Sequence, residues 1–163
     1  MLKSEYFTHP ATGRLIRKMR TYLVAPLSVH EQAFHGTGRY DDLSGFAFGP
    51  DQNAHTMYQQ ALESAGEQLM DGGMLVIAID PDVSDWLPGD SQLKLMADHN
   101  WSVVIMRVVP CEQMITRTLR LKETNITTLD VDRSHLDLTL TLLREAAIER
   151  ERSIYPVTGF MFH

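Results

Sequence analysis

The chain has 163 residues, enough to form one domain with its own core, and its 44% hydrophobic and 22% charged residues are ordinary for a folded globular protein. Its formal charge of −6, from 21 acidic and 15 basic side chains, argues against a general nucleic-acid coat, since phosphate neutralisation demands a basic balance. Cys111 is the single cysteine, which excludes an intrachain disulfide framework and a cysteine-only zinc site.

No apolar run reaches the roughly 20 residues of a membrane span, and the N-terminus offers no long apolar stretch for a signal peptide. A single domain over residues 1–163 in a reducing, cytoplasmic compartment is the expectation.

Taken in chain order, Leu2 to Thr8 reads as a short strand. From Arg14 the apolar residues Leu15, Ile16, Met19, Tyr22 and Leu23 fall at helical spacing, with Arg14, Arg17 and Lys18 on another face. That predicts a helix ended by Pro26, followed by a strand from Leu27 to Phe34. The stretch "HGTGRYDDLSGFAFGPDQN" is rich in Gly and Asp and reads as a loop. Ala54, Met57, Tyr58, Ala61, Leu62, Ala65 and Leu69 recur at threes and fours, predicting a helix from Asn53 to Asp71 that "DGG" stops.

"MLVIAID" is a continuous apolar strand, as expected when both faces are covered. A helix from Asp90 to Asn100 precedes the strand "WSVVIMRVV", which Pro110 breaks. "CEQMITRTLRLKE" reads as a third helix, and "SHLDLTLTLLREAAIERE" as a long last one with Ser134 as its N-cap. The apolar tail "YPVTGFMFH" is expected to dock within the chain or to meet a partner. The nine methionines read as core filling.

Strands alternating with helices predict an α/β fold, a three-layer sandwich with a mainly parallel sheet of four or five strands. Ligands collect beyond the carboxyl ends of such strands. The candidate places are Thr8 to Arg14, His30 to Asp42, and Asp80 to Asp85.

This ordered set resembles a small P-loop kinase of the polynucleotide-kinase-like branch. "HPATGRLIRKMRTYL" occupies the place of the family's phosphate loop and first helix, and "LSVHEQAF" that of a strand end bearing a catalytic acid. "RYDDLSGFAFGPDQNAHTMYQQALESAGEQLMDGGMLVIAID" resembles the loop, helix and strand that follow. "NWSVVIMRVVPCEQMITRTLRLKE" is similar to the next strand and an Arg-bearing lid helix. The resemblance implies ATP and Mg²⁺ as cofactors, a nucleotide or nucleic-acid end as ligand, and no membrane. It implies phosphate contacts from Thr12, Gly13, Arg14, Arg117 and Arg120, and catalytic roles for Glu31 and Asp80.

The departures fall at the chemistry. Against G-x-x-x-x-G-K-[ST], the chain places Thr8 at the first Gly, Arg14 at the Lys and Leu15 at the Mg²⁺-ligating hydroxyl. Arg14 can hold phosphate with a planar fork, but Leu15 cannot coordinate a metal. Phosphoryl transfer rests on positioning and charge neutralisation, so losing both groups should cost orders of magnitude in rate. "PATGR" therefore reads either as a decayed phosphate loop or as a Pro-Gly turn, and Asp80 either as a metal-linked acid or as a turn cap beside Pro81.

The function expected first is a kinase-like protein without efficient phosphoryl transfer, binding a nucleotide, a polynucleotide end or a protein partner. An active kinase using Arg14 with Glu31 or Asp80 is the second reading. The third is an NAD-dependent ADP-ribosyltransferase using the "HGT" at His35.

Overall fold

A computed structural model describes residues 6–8, 11–35, 43–49, 53–82, 86–111, 115–121 and 124–154 of the chain. It begins with two short strands, β1 (Tyr6–Thr8) and β2 (Leu15–Arg17), paired antiparallel. Gly13 stands in the turn before β2 at a φ of 69°, a conformation that glycine adopts without steric cost. β3 follows at Met19–Pro26.

The helix expected from Arg14 to Leu23 is therefore a correction: the segment is extended. Tyr22 and Val24 pack in one core cluster and Leu23 and Ala25 in the other, so the run is apolar at every position. Burial on both faces leaves no alternation, and the helical spacing of its apolar residues is incidental.

α1 (Leu27–His35) replaces the strand expected there. Pro26, buried at the end of β3, brings no N–H to continue the ladder, and the chain turns into a helix that buries Val29 and exposes Ser28 and Glu31. β4 (Leu43–Phe48) lies inside the stretch expected to be loop and pairs parallel with β3. A Cβ at Gly45 would stand 2.8 Å from the Leu23 carbonyl oxygen and 2.9 Å from Nε2 of His30. The glycine that suggested a loop is the close approach of two strands and an imidazole.

α2 (Ala54–Gln68) starts as expected, with Asn53 Oδ1 accepting the Thr56 N–H at 3.1 Å. It stops three residues before the expected end, because β5 (Leu69–Ile79) begins at once. Between the pairs Met19↔Leu69 and Thr21↔Met74, β5 spends five residues where β3 spends two. Gly72, at a φ of 76°, and Gly73, whose Cβ would lie 2.9 Å from the Arg20 carbonyl, make that bulge possible. "DGG" belongs to a strand rather than to a helix stop.

α3 (Asp90–Asp98) and β6 (Ser102–Val108) agree with the sequence reading within two residues at each end. β7 (Ile115–Leu121) then replaces the third helix and pairs antiparallel with β8 (Thr124–Val131), which matches no expected element. Thr116, Thr118, Thr127 and Thr128 are β-branched residues on an open pair of strands, where strand preference outweighs the weak helical spacing. After β8, Asp132 rather than Ser134 caps the chain. Its carboxylate accepts the Ser134 N–H at 3.0 Å and the Ser134 hydroxyl, opening one 3-10 turn before α4 (Leu136–Ile154).

The six long strands stand in the order β4-β3-β5-β6-β8-β7, all parallel except β7. Counting only the parallel strands along the chain, the order is second, first, third, fourth, fifth, a doubly wound arrangement. The chain is an α/β fold with a six-stranded, mainly parallel sheet flanked by helices. Tyr58, Ala61 and Leu62 of α2 and Leu93 and Met96 of α3 pack on one face. Val29 of α1 and Leu136, Leu140 and Ala147 of α4 pack on the other. Met70, Met74, Met96 and Met106 are buried in these layers. The apolar tail from Tyr155 lies outside the described residues.

Candidate functional site

Alternation along the strands places Ile79 of β5, Ile105 and Arg107 of β6, and Thr128 and Asp130 of β8 around one hollow. The hollow lies toward the carboxyl ends of these strands, on the face where α2 and α3 pack. Arg117 of β7 reaches it from the antiparallel edge, and Trp86 and Leu87 close it from the segment that leads into α3. The volume is about 190 Å³. That is below the roughly 300–1,000 Å³ of pockets for drug-sized ligands, so it suits one ring system with its substituents outside. Trp86 is held in place: it stacks on Tyr58 at 4.8 Å, and the Tyr58 hydroxyl donates to the Ala78 carbonyl at 2.9 Å. Leu87 is 58% exposed and adds an apolar side to the hollow.

Two guanidinium groups converge on one carboxylate here. Arg107, paired in register with Asp130, donates from Nη1 to Oδ1 at 3.4 Å. Arg117 places Nη2 3.7 Å from Oδ2 of the same residue. Both contacts are longer than the about 2.7–2.9 Å of strong charge-assisted bonds. Each is worth about 0.2–1 kcal/mol to stability at such exposure, so stability gives little reason for gathering two arginines. The cluster carries one positive charge in excess, beside an apolar surface.

Two other acids at the carboxyl end, Asp80 and Asp132, are already engaged. Asp80 follows β5 directly; one oxygen accepts the Asp82 N–H at 3.0 Å across Pro81, and the other lies 3.5 Å from Nη2 of Arg133. This is the geometry of a turn cap. The Ser134 hydroxyl and then its N–H hold the Asp132 carboxyl below the ordinary aspartate range.

Of the expected site residues, Arg117 lines the hollow and Asp80 stands one residue beyond Ile79, its neighbour in the lining. Arg120 belongs to β7 as well, its backbone paired with Asn125, rather than to a lid helix. Glu31 lies exposed on α1. Thr12, Gly13 and Arg14 are exposed in the turn before β2, with the Arg14 N–H donating to Thr12 Oγ1 at 3.3 Å. They precede the amino end of β3, whereas Arg117 lines the hollow toward the carboxyl ends of β5, β6 and β8, so the structure does not bring the turn at Gly13 and Arg117 together. Glu31 and Asp80 follow the carboxyl ends of β3 and β5. His35 ends α1, and Gly36 and Thr37 lie outside the described residues. Among the described residues, no group of three His, Cys, Asp or Glu side chains is arranged to hold a metal ion.

Sequence reasoning missed Arg107, Asp130, Trp86 and Leu87. A signal for the first two was present, since each is a charged residue near the end of a β-branched, apolar run, as Asp80 is. That they are partners follows from a register that no local pattern carries. Compared with protein-family models, with curated proteins and with solved structures, the chain finds no match.

Proposed function

We propose that this protein binds a nucleotide at the carboxyl end of its sheet and acts through that binding, without efficient phosphoryl transfer. The observation that carries the reading is the pair of guanidinium groups around Asp130 at the mouth of an apolar hollow. A nucleotide joins a flat, largely apolar ring to an anion, and a small apolar pocket with a few convergent polar groups is its natural complement. Guanidinium groups add phosphate contacts and stacking on ring faces. A polynucleotide 5′ end presents the same chemistry with a strand attached.

The reading keeps the nucleotide from the polynucleotide-kinase-like resemblance and moves its contacts from the turn at Gly13 to β6, β7 and β8. Weak transfer follows from the segment at Arg14 and Leu15, which carries neither the lysine nor the Mg²⁺-ligating hydroxyl of a phosphate loop and runs into the extended β2 rather than into a helix.

The test is calorimetry with ATP, AMP and GTP, with and without Mg²⁺, on wild type, Arg107→Ala, Arg117→Ala and Arg14→Ala. Binding at micromolar to submillimolar concentration is expected. It should weaken about tenfold or more in the first two variants, some 1.4 kcal/mol per lost contact, and stay unchanged in Arg14→Ala. Absence of binding at millimolar nucleotide overturns the reading. Binding lost in Arg14→Ala alone returns the site to the turn before β2, and Mg²⁺-dependent release of ADP restores the kinase.

A further inference from the structure

Asp130 poses a question that the arginines do not. A pocket meant only for an anion gains nothing from a carboxylate in its lining, because that carboxylate competes with the ligand for both guanidinium groups. Its placement has a purpose if the ligand also offers hydrogen-bond donors. Resting on the nucleotide reading above, we infer that the base held in this hollow is guanine, and that Asp130 is the residue that selects it.

Arg107 and Asp130 are register partners on adjacent parallel strands, about 4.8 Å apart across the ladder. Their side chains stand side by side toward the hollow, a donor fork next to an acceptor pair. Arg107 is 35% exposed at the side chain and Asp130 15%, so the acid is the better shielded of the two. A carboxylate has about four lone-pair sites, and its two long contacts to the arginines leave acceptor capacity on each oxygen. A guanidinium likewise has five N–H groups, more than Asp130 takes up.

Among the common bases, guanine alone presents two neighbouring N–H donors, N1 and N2, on one edge with an acceptor, O6, beside them. Asp130 accepts from the two donors, and Arg107 donates to O6. Adenine and cytosine would turn a ring-nitrogen lone pair toward one carboxylate oxygen. Uracil would turn a carbonyl toward it. Each of those contacts opposes two acceptors in a shielded site, where an unmet polar group is costly.

Ile79, Ile105, Trp86 and Leu87 supply the apolar surroundings of the ring. Arg117, 64% exposed at the side chain, stands at the rim, where a phosphate outside the hollow can meet it.

The experiment compares GMP, AMP, CMP and XMP by calorimetry on wild type and on Asp130→Asn. GMP is expected to bind wild type about tenfold or more tighter than AMP or CMP, the range of a good bidentate base contact. The asparagine offers one acceptor and one donor, which complements the N1–H and C2 carbonyl of xanthine. Asp130→Asn should therefore lose GMP affinity by a similar factor and gain XMP. Equal binding of the four nucleotides to wild type, still weakened by Arg107→Ala and Arg117→Ala, overturns the guanine assignment and leaves the nucleotide site standing. A preference for GMP that survives in Asp130→Asn removes Asp130 as the selector and overturns the inference too. Binding of none of them overturns both readings. The wild-type comparison needs no variant, so a folding defect cannot hide the answer.

Discussion

Thr21 lies in β3 with no exposed surface, and its hydroxyl has no hydrogen-bond partner among the described residues. Its neighbour Tyr22 meets the same burial differently, with its hydroxyl donating to Ser64 Oγ at 2.9 Å while burial pushes the phenol pKa up. An unsatisfied buried hydroxyl costs about 1–3 kcal/mol, and valine has nearly the same shape without it. Thr21→Val should stabilise the protein by about 1 kcal/mol and raise the midpoint of thermal unfolding by about 2–4 °C. A scanning calorimetry trace with a lower midpoint would show that the hydroxyl has a partner. The same distinction between acceptor and donor operates at Asp130, where one atom changed from oxygen to nitrogen is expected to move base choice.

At the scale of elements, the pairing of β3 with β4 depends on a missing side chain. Gly45 lets the Leu23 carbonyl and the His30 ring approach together, and of these the carbonyl is fixed by the ladder. Gly45→Ala should therefore cost about 1–3 kcal/mol, the usual range for overpacking, read as a lower urea midpoint with an unchanged slope. Adding His30→Ala removes only the contact that could have moved aside. The double variant should stay destabilised, and recovery in it would make the imidazole rather than the backbone the obstacle. The β7–β8 pair teaches the complementary lesson. Its threonines favour extension, and the pair carries Arg117 and Asp130 to the same hollow, which is what the proposed site needs of it.

Across the whole molecule, order should follow depth in the sheet. β3, β5 and β6 are paired on both sides and covered by helices on both faces. β7 is an edge strand, and β1–β2 is a separate two-stranded ribbon, a form that is marginal alone. Arg17 and Arg20 tie the ribbon's exit to Glu151 near the end of α4. Hydrogen exchange followed by mass spectrometry should find β3, β5 and β6 slowest, with β7 and the ribbon exchanging first. Protection of β7 equal to β6 would mean that its outer edge is covered. Added nucleotide should slow β7 and the segment at Trp86 and Leu87 more than the ribbon.

Much of this architecture was legible before any contact was seen. α2, α3 and α4 are amphipathic over two turns or more, and the apolar runs of β5 and β6 are too short and too uniform for anything but covered strands. These patterns are local, and together they determined an α/β chain with a mainly parallel sheet and placed Asp80 at a strand end. The turn at Gly13, the two-faced run of β3, the strand around Gly45 and the hairpin of β7 with β8 were decided elsewhere. In each, short-range preference is weak or ambiguous, and pairing with a distant strand settles the conformation. The site belongs with these. Arg107, Arg117 and Asp130 become neighbours only through the register of three strands, and register is a property of the assembled sheet rather than of any stretch of sequence.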